Sequence, residues 1–288
     1  MVVLMGGRSK EREISLKSGQ AIVEALRKLG HEVIALDLQE DLCERLKEYR
    51  PHKVFIALHG TYGEDGRVQG LLDLLGIDYV GSGVLGSSIA MDKEVTKKIA
   101  LFHQIPVPKW ISLRSAEESF QWETYPAVVK PADQGSSVGL FLVKDRLELK
   151  KALQRCFEVT HKVLVEEFIE GKDVTVGILK DRALPPIEIR PAKGIYDYES
   201  KYTKGMTQYV FLEDQELVER LQELALFIHR ALELKDLSRV DFRLSREGEP
   251  YLLEVNTLPG MTELSLFPMA CQRAGIDFTH MVEVLLQS

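Results

Sequence analysis

Residues 238–256 read SRVDFRLSREGEPYLLEVN, and this segment predicts an antiparallel β-hairpin. Alternation with a period of two places Arg239, Asp241 and Arg243 on one face of the first strand. Val240 and Phe242 lie on the opposite face. A short turn containing GEP leads into a second strand with the same alternating character.

The polar faces of the two strands carry oxygen-bearing side chains. The turn brings Asp241 close to Glu254 and Asn256. Two carboxylates and a carboxamide form a ligand set that suits Mg²⁺ better than zinc or copper. The apolar run Tyr251–Leu253 and Val255 predict a largely buried strand, where clustered carboxylates need a cation. We therefore favour a metal site over the alternative, the solvated face of an amphipathic hairpin.

The segment TLPGMT (residues 257–262) follows the hairpin directly. A Pro-Gly turn beside a metal can present backbone N–H groups to a substrate oxygen, as an oxyanion hole does. Without the metal site, the segment would indicate only a turn.

A glycine- and serine-rich loop joins two apolar runs in VVKPADQGSSVGLFLV (residues 128–143). Residues 135–139 also fit G-x-S-x-G, but a nucleophile elbow must lead into a helix, and β-leaning residues follow here. Because the loop is longer than a hairpin turn needs, we favour a flap over phosphates. The ammonium of Lys130 would neutralise phosphate charge. A solvated strand end is the alternative for Lys130, and Lys93, which opens a helix, has the same two interpretations.

Two further motifs are ambiguous. Residues 81–86, GSGVLG, fit the dinucleotide-binding pattern, but they follow the fourth strand and lack the acidic residue expected ~20 positions on, so we predict a tight turn into a helix. The consecutive acids Glu166 and Glu167 end the strand KVLV and precede Phe168 and Ile169. They fit adenosine recognition and a solvent-facing position equally well.

Element patterns divide the chain into three predicted domains, residues 1–90, 91–174 and 175–288. Strands at Val2–Met5, 32–38, 54–58 and Asp78–Val80 alternate with helical patterns, which is typical of a parallel α/β sheet. Loops beyond the carboxyl ends of such strands line ligand crevices, which makes Glu11 and His59 candidate site residues. The second and third domains each combine strands and helices as α+β units.

Composition places the chain among ordinary globular proteins. Hydrophobic residues make up 45% and charged residues 28%, and no apolar run approaches the ~20 residues of a membrane span. The three cysteines form no CxxC pair, and the first residues do not resemble a secretory signal, so we expect a cytoplasmic protein. The net charge of −7 argues against nucleic acid as the main partner.

Eight ordered blocks of sequence resemble the D-alanine–D-alanine ligase family of the ATP-grasp superfamily. They are GGRSKEREISLKSG, VFIALHGTYGEDG, GSGVLGSSIAMDK, VVKPADQGSSVG, VEEFIEGKDVTV, YDYESKY, RVDF and LLEVNTLPGMTELSL. The resemblance implies a three-domain ATP-grasp fold, α/β followed by α+β, with ATP between the last two domains. It implies that a carboxylate is phosphorylated by ATP and then joined to an amine, which forms D-alanyl-D-alanine for peptidoglycan. It also implies ATP and two Mg²⁺ ions as cofactors, with Mn²⁺ as a substitute, and we expect a homodimer that binds D-alanine, no nucleic acid and no membrane.

The resemblance also implies roles for individual residues. Glu11, His59, Arg239, Gly260 and Ser265 would bind the substrates, with Arg239 and Gly260 also stabilising an oxyanion. ATP would contact Lys93, Lys130, Glu166, Glu167, Phe168, Ile169, Asp173 and Lys201. Asp241, Glu254 and Asn256 would hold the metal ions, and Ser136 and Tyr202 would link the flap to a polar loop over the site.

Three alternatives stay open at this point. A D-alanine–D-lactate ligase uses the same chemistry, although YDYESKY, which contains Tyr202, favours the dipeptide enzyme. A nucleotide-binding regulatory protein and a serine hydrolase, acting through Ser137, are the alternatives from other classes. Glu263 and Leu264 occupy positions that vary in the family, and Arg243 has no assigned role.

Overall fold

The computed structural model describes residues 1–135, 139–192, 206–262 and 265–287, and the strands in these ranges form three sheets. The N-terminal unit contains the strands β1 (Val2–Met5), β2 (Ile34–Asp37), β3 (Lys53–Ile56) and β4 (Asp78–Val80) and the helices α1 (Arg12–Lys28), α2 (Leu42–Tyr49), α3 (Arg67–Leu75) and α4 (Val84–Met91). Its sheet is parallel, in the order β2-β1-β3-β4, with Val2 opposite both Ile34 and Val54. The predicted parallel α/β unit is therefore confirmed.

The two faces of this sheet are buried against different helices, because alternate side chains of β1 point in opposite directions. Leu4 packs with Leu46 of α2 and Leu72 of α3. Val3 packs on the other face with Ile22 of α1. Burying a side chain of this size contributes ~1.5–3 kcal/mol, so these contacts fix the sheet between its helices.

The central sheet is antiparallel and lies beneath one helix. Its strands are β5 (Trp110–Leu113), β6 (Ala127–Pro131), β7 (Phe141–Val143) and β8 (Val163–Glu167), with α5 (Lys93–Phe102) before them and α6 (Arg146–Phe157) between β7 and β8. The order is β5-β8-β6-β7. Leu149 and Leu153 of α6 pack against Val129 and Val165 of the sheet.

The C-terminal sheet is also antiparallel. It contains β9 (Gly171–Leu179), β10 (Arg182–Ala183), β11 (Ile187–Pro191), β12 (Thr207–Phe211), β13 (Leu237–Ser245) and β14 (Pro250–Asn256), and its helices are α7 (Gln215–Ala231), α8 (Leu266–Arg273) and α9 (Phe278–Leu286). The order is β12-β11-β9-β13-β14, with β10 beside β9. The predicted hairpin is confirmed, since β13 pairs with β14, and Val240 and Phe242 are buried under α7 as their alternation predicted.

Aspartate side chains begin four of the helices. The carboxylates of Asp92, Asp145, Asp214 and Asp277 accept hydrogen bonds from backbone N–H groups in the first turns of α5, α6, α7 and α9. Such caps satisfy N–H groups that have no partner within the helix and contribute about 1 kcal/mol each. These four starts are therefore set locally by the sequence.

The structure also tests the interpretation of the two glycine motifs, residues 81–86 and 135–139. Residues 81–83 follow β4 and α4 begins at Val84, so the first motif is a turn into a helix, as predicted. The second motif lies between β6 and β7, which are paired antiparallel strands, so a strand follows it where a nucleophile elbow requires a helix. Residues 136–138 of this loop lie outside the described ranges.

Strand β9 belongs to the C-terminal sheet from its first residue, Gly171, which lies opposite Ser245 of β13. The division predicted between residues 174 and 175 falls inside this strand. We therefore propose that the central domain ends in the linker formed by residues 168–170. Helix α9 packs against α1, and α8 packs against α9 and β9. Phe267 and Met281 belong to the core cluster that also contains Val3 and Ile22 of the N-terminal unit.

All three cysteines are free thiols, and Cys156 and Cys271 are buried. Burial raises the pKa of each of these two thiols to about 12, so neither is a reactive thiolate near neutral pH. In the described ranges, no helix has the length and apolar composition required to cross a bilayer.

Candidate active site

A cavity lies between the central and C-terminal sheets, and the linker 168–170 runs along it. Predicted site residues from five parts of the chain come together in its wall. They are Lys93, Lys130, Glu166, Glu167, Phe168, Ile169, Asp173, Asp241 and Glu254. Apolar side chains, including Val128, Ile189 and Leu253, complete the lining. Such a cleft, largely apolar with a few converging charges, is the usual form of a small-molecule site.

Two lysines share one buried carboxylate at the floor of the cavity. Lys130 Nζ lies 2.9 Å from Glu166 Oε2, and Lys97 Nζ lies 3.2 Å from Glu166 Oε1. All three side chains are at most 9% exposed. Glu166 is buried, so the solvent-facing interpretation is wrong, and its carboxylate binds two ammonium groups. Lys97 was not singled out in the sequence, although it lies one helical turn after Lys93.

The pKa values of this cluster follow from its burial and charges. Burial alone would raise the pKa of Glu166, but the two lysines lower it below its ordinary value. Burial lowers the pKa of Lys97 to about 8, although Glu166 opposes the shift. Glu166 is therefore a fixed anion that positions Lys130 at the cavity.

The carboxylate of Glu167 belongs to a different interaction. Its Oε1 accepts a hydrogen bond of 2.9 Å from the backbone N–H of Lys109, while the N–H of Glu167 donates to the Lys109 carbonyl. The N–H of Phe168 donates to the carbonyl of Pro126 at 3.2 Å. These bonds connect the start of the linker to the rest of the central domain.

The predicted oxygen-ligand set lies at one end of the β13–β14 hairpin. Asp241 is directly opposite Glu254, and Asn256 is opposite Arg239. Asn256 Nδ2 donates to Asp241 Oδ2 at 3.1 Å, and the hydroxyl of Thr175 donates to Asp241 Oδ1 at 2.6 Å. No group of three or more His, Cys, Asp or Glu side chains suited to a metal occurs in the described ranges, and the predicted set contains only two carboxylates.

Positive charges border this oxygen-rich end. Arg239 forms a two-pronged pair with Asp241, with Nε and Nη2 at 2.9 and 2.7 Å from the two carboxylate oxygens. Lys93 Nζ lies 3.2 Å from Glu254 Oε2 and donates to the Gln134 carbonyl at 2.7 Å. Lys93 thus joins the base of the flap loop to the hairpin.

Glu11 reaches the same region from the N-terminal sheet. It lies at the start of α1, at the carboxyl end of β1, where loops of parallel sheets bind ligands. A Cβ atom placed on Gly60 would lie 2.6 Å from Glu11 Oε2, and one on Gly135 would lie 3.0 Å from it. The glycines therefore leave the room that this carboxylate occupies.

Glu64, in the segment HGTYGEDG, is a site residue that sequence reasoning missed. Its two oxygens accept the N–H groups of Gly60 and Leu258, at 2.7 and 3.3 Å. Burial, and then the nearby carboxylate of Glu11, raise the pKa of Glu64 to about 8. Glu64 thereby connects the loop after β3 to the loop after β14. The signal was an acidic residue in a glycine-rich loop at a strand end.

The ring of His59 also connects two loops. Nδ1 donates to the Leu258 carbonyl at 3.0 Å. In a neutral ring the other nitrogen, Nε2, is then an acceptor, and it accepts from the Ser18 hydroxyl at 3.1 Å. The Ser18 hydroxyl in turn accepts the N–H of Met261 at 3.2 Å. Burial lowers the pKa of His59, which agrees with a neutral ring. Since both ring nitrogens have protein partners, we propose that His59 positions residues 258–261 and does not bind substrate itself.

Gly260 and Ser265 lie together at the start of α8. Ser265 Oγ lies 2.8 Å from Thr262 Oγ1 and accepts the N–H of Thr262 at 3.1 Å. A Cβ atom on Gly260 would lie 2.8 Å from Ser265 Oγ, so glycine is needed for this approach. Three other predicted residues, Ser136, Lys201 and Tyr202, lie outside the described residues.

The chain matches known proteins along nearly its whole length. The family models described as D-ala D-ala ligase N-terminus and D-ala D-ala ligase C-terminus match residues 43–82 and 86–287. The D-alanine–D-alanine ligase of Aquifex aeolicus is 53% identical over 288 residues, which are 99% of each chain. That of Geobacter sulfurreducens is 46% identical and covers 99% of this chain and 92% of its own.

Solved structures agree with this similarity. The D-alanine–D-alanine ligase from Bacillus anthracis complexed with ATP has a TM-score of 0.88 at 35% identity, covering 99% of this chain and 95% of its own. The VanG D-Ala:D-Ser ligase from Enterococcus faecalis has a TM-score of 0.84 at 29% identity, covering 99% and 98%.

Proposed function

The chain belongs to the D-alanine–D-alanine ligase family, and from this premise we propose that the site described above joins two D-alanine molecules at the expense of ATP. The enzyme is an ATP-dependent carboxylate–amine ligase with the ATP-grasp fold, and its product is a dipeptide of peptidoglycan synthesis. The roles of individual side chains in binding and catalysis are proposed below from their contacts.

One observation carries the assignment: Lys93 Nζ lies 3.2 Å from Glu254 Oε2 at one end of the cavity. A nucleotide with bound Mg²⁺ presents negative oxygens beside a cation, so its site needs lysines and carboxylates side by side. Lys130 supplies a second ammonium from the floor of the same cavity. We place the triphosphate at these lysines, with Lys201 as the third, and adenosine along Phe168, Ile169 and Asp173.

Asp241, Glu254 and Asn256 fit Mg²⁺ by the chemistry of their donor atoms, since all three offer oxygen. We propose that they hold two Mg²⁺ ions, for which Mn²⁺ can substitute. When bound, the ions neutralise phosphate charge during transfer. Arg239 and Lys93, which pair with these carboxylates in the structure, would then be available to the substrates.

The chemistry proceeds in two steps. A carboxylate oxygen of the first D-alanine, whose ammonium Glu11 holds, attacks the γ-phosphorus of ATP. The bond to the bridging oxygen breaks, which gives D-alanyl phosphate and ADP. The neutral amine of the second D-alanine then attacks the carbonyl carbon, the bond to the phosphate oxygen breaks, and the phosphate leaves as hydrogen phosphate with the proton that the amine loses. Arg239 and the N–H of Gly260 stabilise the oxyanion between these events, and Ser265 binds the second carboxylate.

The test is ADP release with ATP and Mg²⁺ in the presence of D-alanine, L-alanine or D-alanine plus D-lactate. We expect turnover with D-alanine alone and no acceleration by D-lactate. Arg239→Ala should lower kcat by ~10²–10³, the usual cost of one lost oxyanion donor. Arg220→Ala is the matched control, because Arg220 pairs with Glu249 at the exposed surface.

Near-normal turnover of Arg239→Ala would remove the role of that residue. Product made with D-lactate would favour the depsipeptide ligase. Tight ATP binding without ADP release for any substrate pair would favour a regulatory protein.

We also propose a cytoplasmic location, because the reaction needs ATP and the cysteines are free thiols. A homodimer is proposed from the family alone. Light scattering at micromolar concentration tests it, and a mass near 33 kDa would contradict it, since one chain has a mass of 32.6 kDa.

A further inference from the structure

We propose that Arg243 is a positioning residue for the nucleotide, because it fixes both the linker 168–170 and the carboxylate of Asp173 beside the cavity. This inference rests on the proposed function in one respect, that adenosine occupies this end of the cavity. The reaction as proposed gives Arg243 no role, since its guanidinium contacts the linker and Asp173.

The position of Arg243 follows from strand geometry. It lies on β13 on the same face as Arg239 and Asp241, and it is directly opposite Asp173 of the neighbouring strand β9. The side chains of Arg243 and Asp173 are only 12% and 20% exposed, and both line the cavity. A charge so nearly buried requires partners, and the guanidinium has three.

The partners belong to two adjoining segments. Arg243 Nε donates to the carbonyl of Ile169 at 2.9 Å, and Nη1 lies 2.9 Å from Asp173 Oδ1. The carbon at the centre of the guanidinium lies 5.2 Å from the centre of the Phe168 ring, within cation–π range. A single side chain therefore holds the backbone of the linker, an aromatic ring of the linker and the first strand beyond it.

This arrangement determines the shape of the cavity. The linker carries Phe168 and Ile169, both of which line the cavity, and it crosses from the central sheet to the C-terminal sheet. On the central side, the N–H of Phe168 is held by Pro126. On the C-terminal side, the guanidinium of Arg243 holds the Ile169 carbonyl from β13. Without Arg243, the linker would lose this connection to the strand beneath it.

Charge gives Arg243 a second effect on a nucleotide. An ionised Asp173 without a cation would repel the phosphates of ATP, whereas the Arg243–Asp173 pair is neutral overall. A guanidinium donates to a carboxylate and a carbonyl simultaneously through separate N–H groups in a fixed plane. A lysine at this position would retain the charge and lose that geometry.

The alternative is an ion pair that only stabilises the fold. The two ideas predict different kinetics. A positioning residue for ATP changes the KM for ATP and the discrimination between ATP and its deoxy analogues, because Asp173 would contact the ribose. A purely structural pair changes the free energy of unfolding and leaves both quantities alone.

The experiment compares Arg243→Met, Arg243→Lys, Asp173→Asn and the double variant Arg243→Met/Asp173→Asn. KM and kcat are measured by ADP release with ATP, 2′-deoxy-ATP and 3′-deoxy-ATP, and Mg²⁺-ADP binding is measured by calorimetry. Arg246→Met is the matched control, because Arg246 pairs with Glu170 of the same linker, and both of those side chains are at least 65% exposed.

For Arg243→Met we expect a KM for ATP raised about 10-fold, with kcat within about 3-fold of the parent, since one charged hydrogen-bond donor is lost. The penalty for the deoxy analogues should shrink, and Arg243→Lys should recover part of the affinity. The double variant should be no worse than Arg243→Met, because both substitutions break one pair. Arg246→Met should change KM less than 2-fold.

A KM for ATP and an ADP affinity of Arg243→Met within 2-fold of the parent would overturn the proposal, whatever the change in stability. Additive losses in the double variant would show that Arg243 does not act through Asp173. If the parent enzyme binds ADP but makes no dipeptide, the proposed function fails, and the calorimetric comparison still tests Arg243.

Discussion

Ser18 is a small residue on the buried face of α1, and its hydroxyl joins three parts of the molecule. It donates to His59 and accepts the N–H of Met261, while His59 holds the Leu258 carbonyl. The loop that carries Gly260 is thereby attached to the helix that begins beside Glu11. A serine hydroxyl can do this because it donates and accepts at once.

Ser18→Ala should therefore affect both stability and substrate binding. The buried N–H of Met261 loses its acceptor, which costs ~1–3 kcal/mol in the free energy of unfolding. The KM for D-alanine should also rise several-fold. ADP release measures the KM, and urea unfolding measures the loss of stability. Ser15→Ala is the control, since the hydroxyl of Ser15 on the same helix donates to the Ala57 carbonyl. Equal changes in KM for both variants would contradict the role of Ser18.

A second histidine makes stability depend on pH. His229 of α7 is buried, its Nδ1 lies 2.7 Å from Ser238 Oγ, and burial lowers its pKa to about 4. The unfolded chain, with an ordinary pKa near ~6.5, binds the proton more readily between these values. The free energy of unfolding should therefore fall as the pH falls from ~6.5 to 4, by an amount on the order of 3 kcal/mol.

Thermal or urea unfolding between pH 4 and 7 tests this dependence. His229→Gln should lose part of the slope in this range, because the titrating group has been removed. His280→Gln should retain the slope, since His280 is about half exposed. An unchanged slope in His229→Gln would assign the pH dependence to other groups, among them His59, whose pKa burial also lowers.

At the scale of elements, the site depends on a loop after β3 that needs a glycine with a left-handed backbone conformation. Gly60 follows β3 with φ +68°, and a Cβ atom there would meet the Glu11 carboxylate at 2.6 Å. Gly30 has a similar φ of +85°, with open space around it. The two glycines therefore separate the cost of backbone strain from the cost of displacing Glu11.

Gly60→Ala and Gly30→Ala should each lose ~1–2 kcal/mol of stability from the left-handed backbone. Only Gly60→Ala should also raise the KM for D-alanine, by about 10-fold or more, because Glu11 must move. Steady-state kinetics and urea unfolding of both variants measure the KM for D-alanine and the loss of stability separately. A KM for D-alanine that stays at the parent value in Gly60→Ala would show that Glu11 tolerates the displacement.

At the scale of the whole molecule, the two ends of the chain form one structural unit. Met281 of α9 is fully buried in the cluster that contains Val3 of β1 and Ile22 of α1. Lys53 of the N-terminal sheet donates to the Leu286 carbonyl at 3.0 Å. Helix α9 therefore supports the sheet and the helix between which Glu11 lies.

Met281→Ala should lower the free energy of unfolding by ~2–5 kcal/mol, the usual cost of a cavity in a core. Because α1 and α9 share that core, we expect the KM for D-alanine to rise with temperature before that for ATP. Leu101→Ala is the control, since Leu101 is 57% exposed. A parallel rise of both KM values would show that the two sites are lost together.

Local sequence patterns were sufficient to predict several strands and the faces on which their side chains lie. Alternating residues placed Asp241 on one face of β13 and Phe242 on the other, and the bounds of β1 and β4 were predicted to the residue. Lys93 and Lys130, which the sequence made candidates for phosphate contacts, and the linker residues Phe168 and Ile169 lie in the wall of one cavity. These features depend on residues near one another in the sequence, where period and turn chemistry are visible.

Partners distant in sequence were decided only by the tertiary structure. Lys97 as the second cation of Glu166, Glu64 as the acceptor for Leu258, and Arg243 as the hydrogen-bond donor to the linker all join segments about 70 or more residues apart. The packing of α9 on the N-terminal sheet is of the same kind. A periodic pattern specifies which face of an element is buried, but not which other element covers it. That choice follows from how all the buried faces fit together.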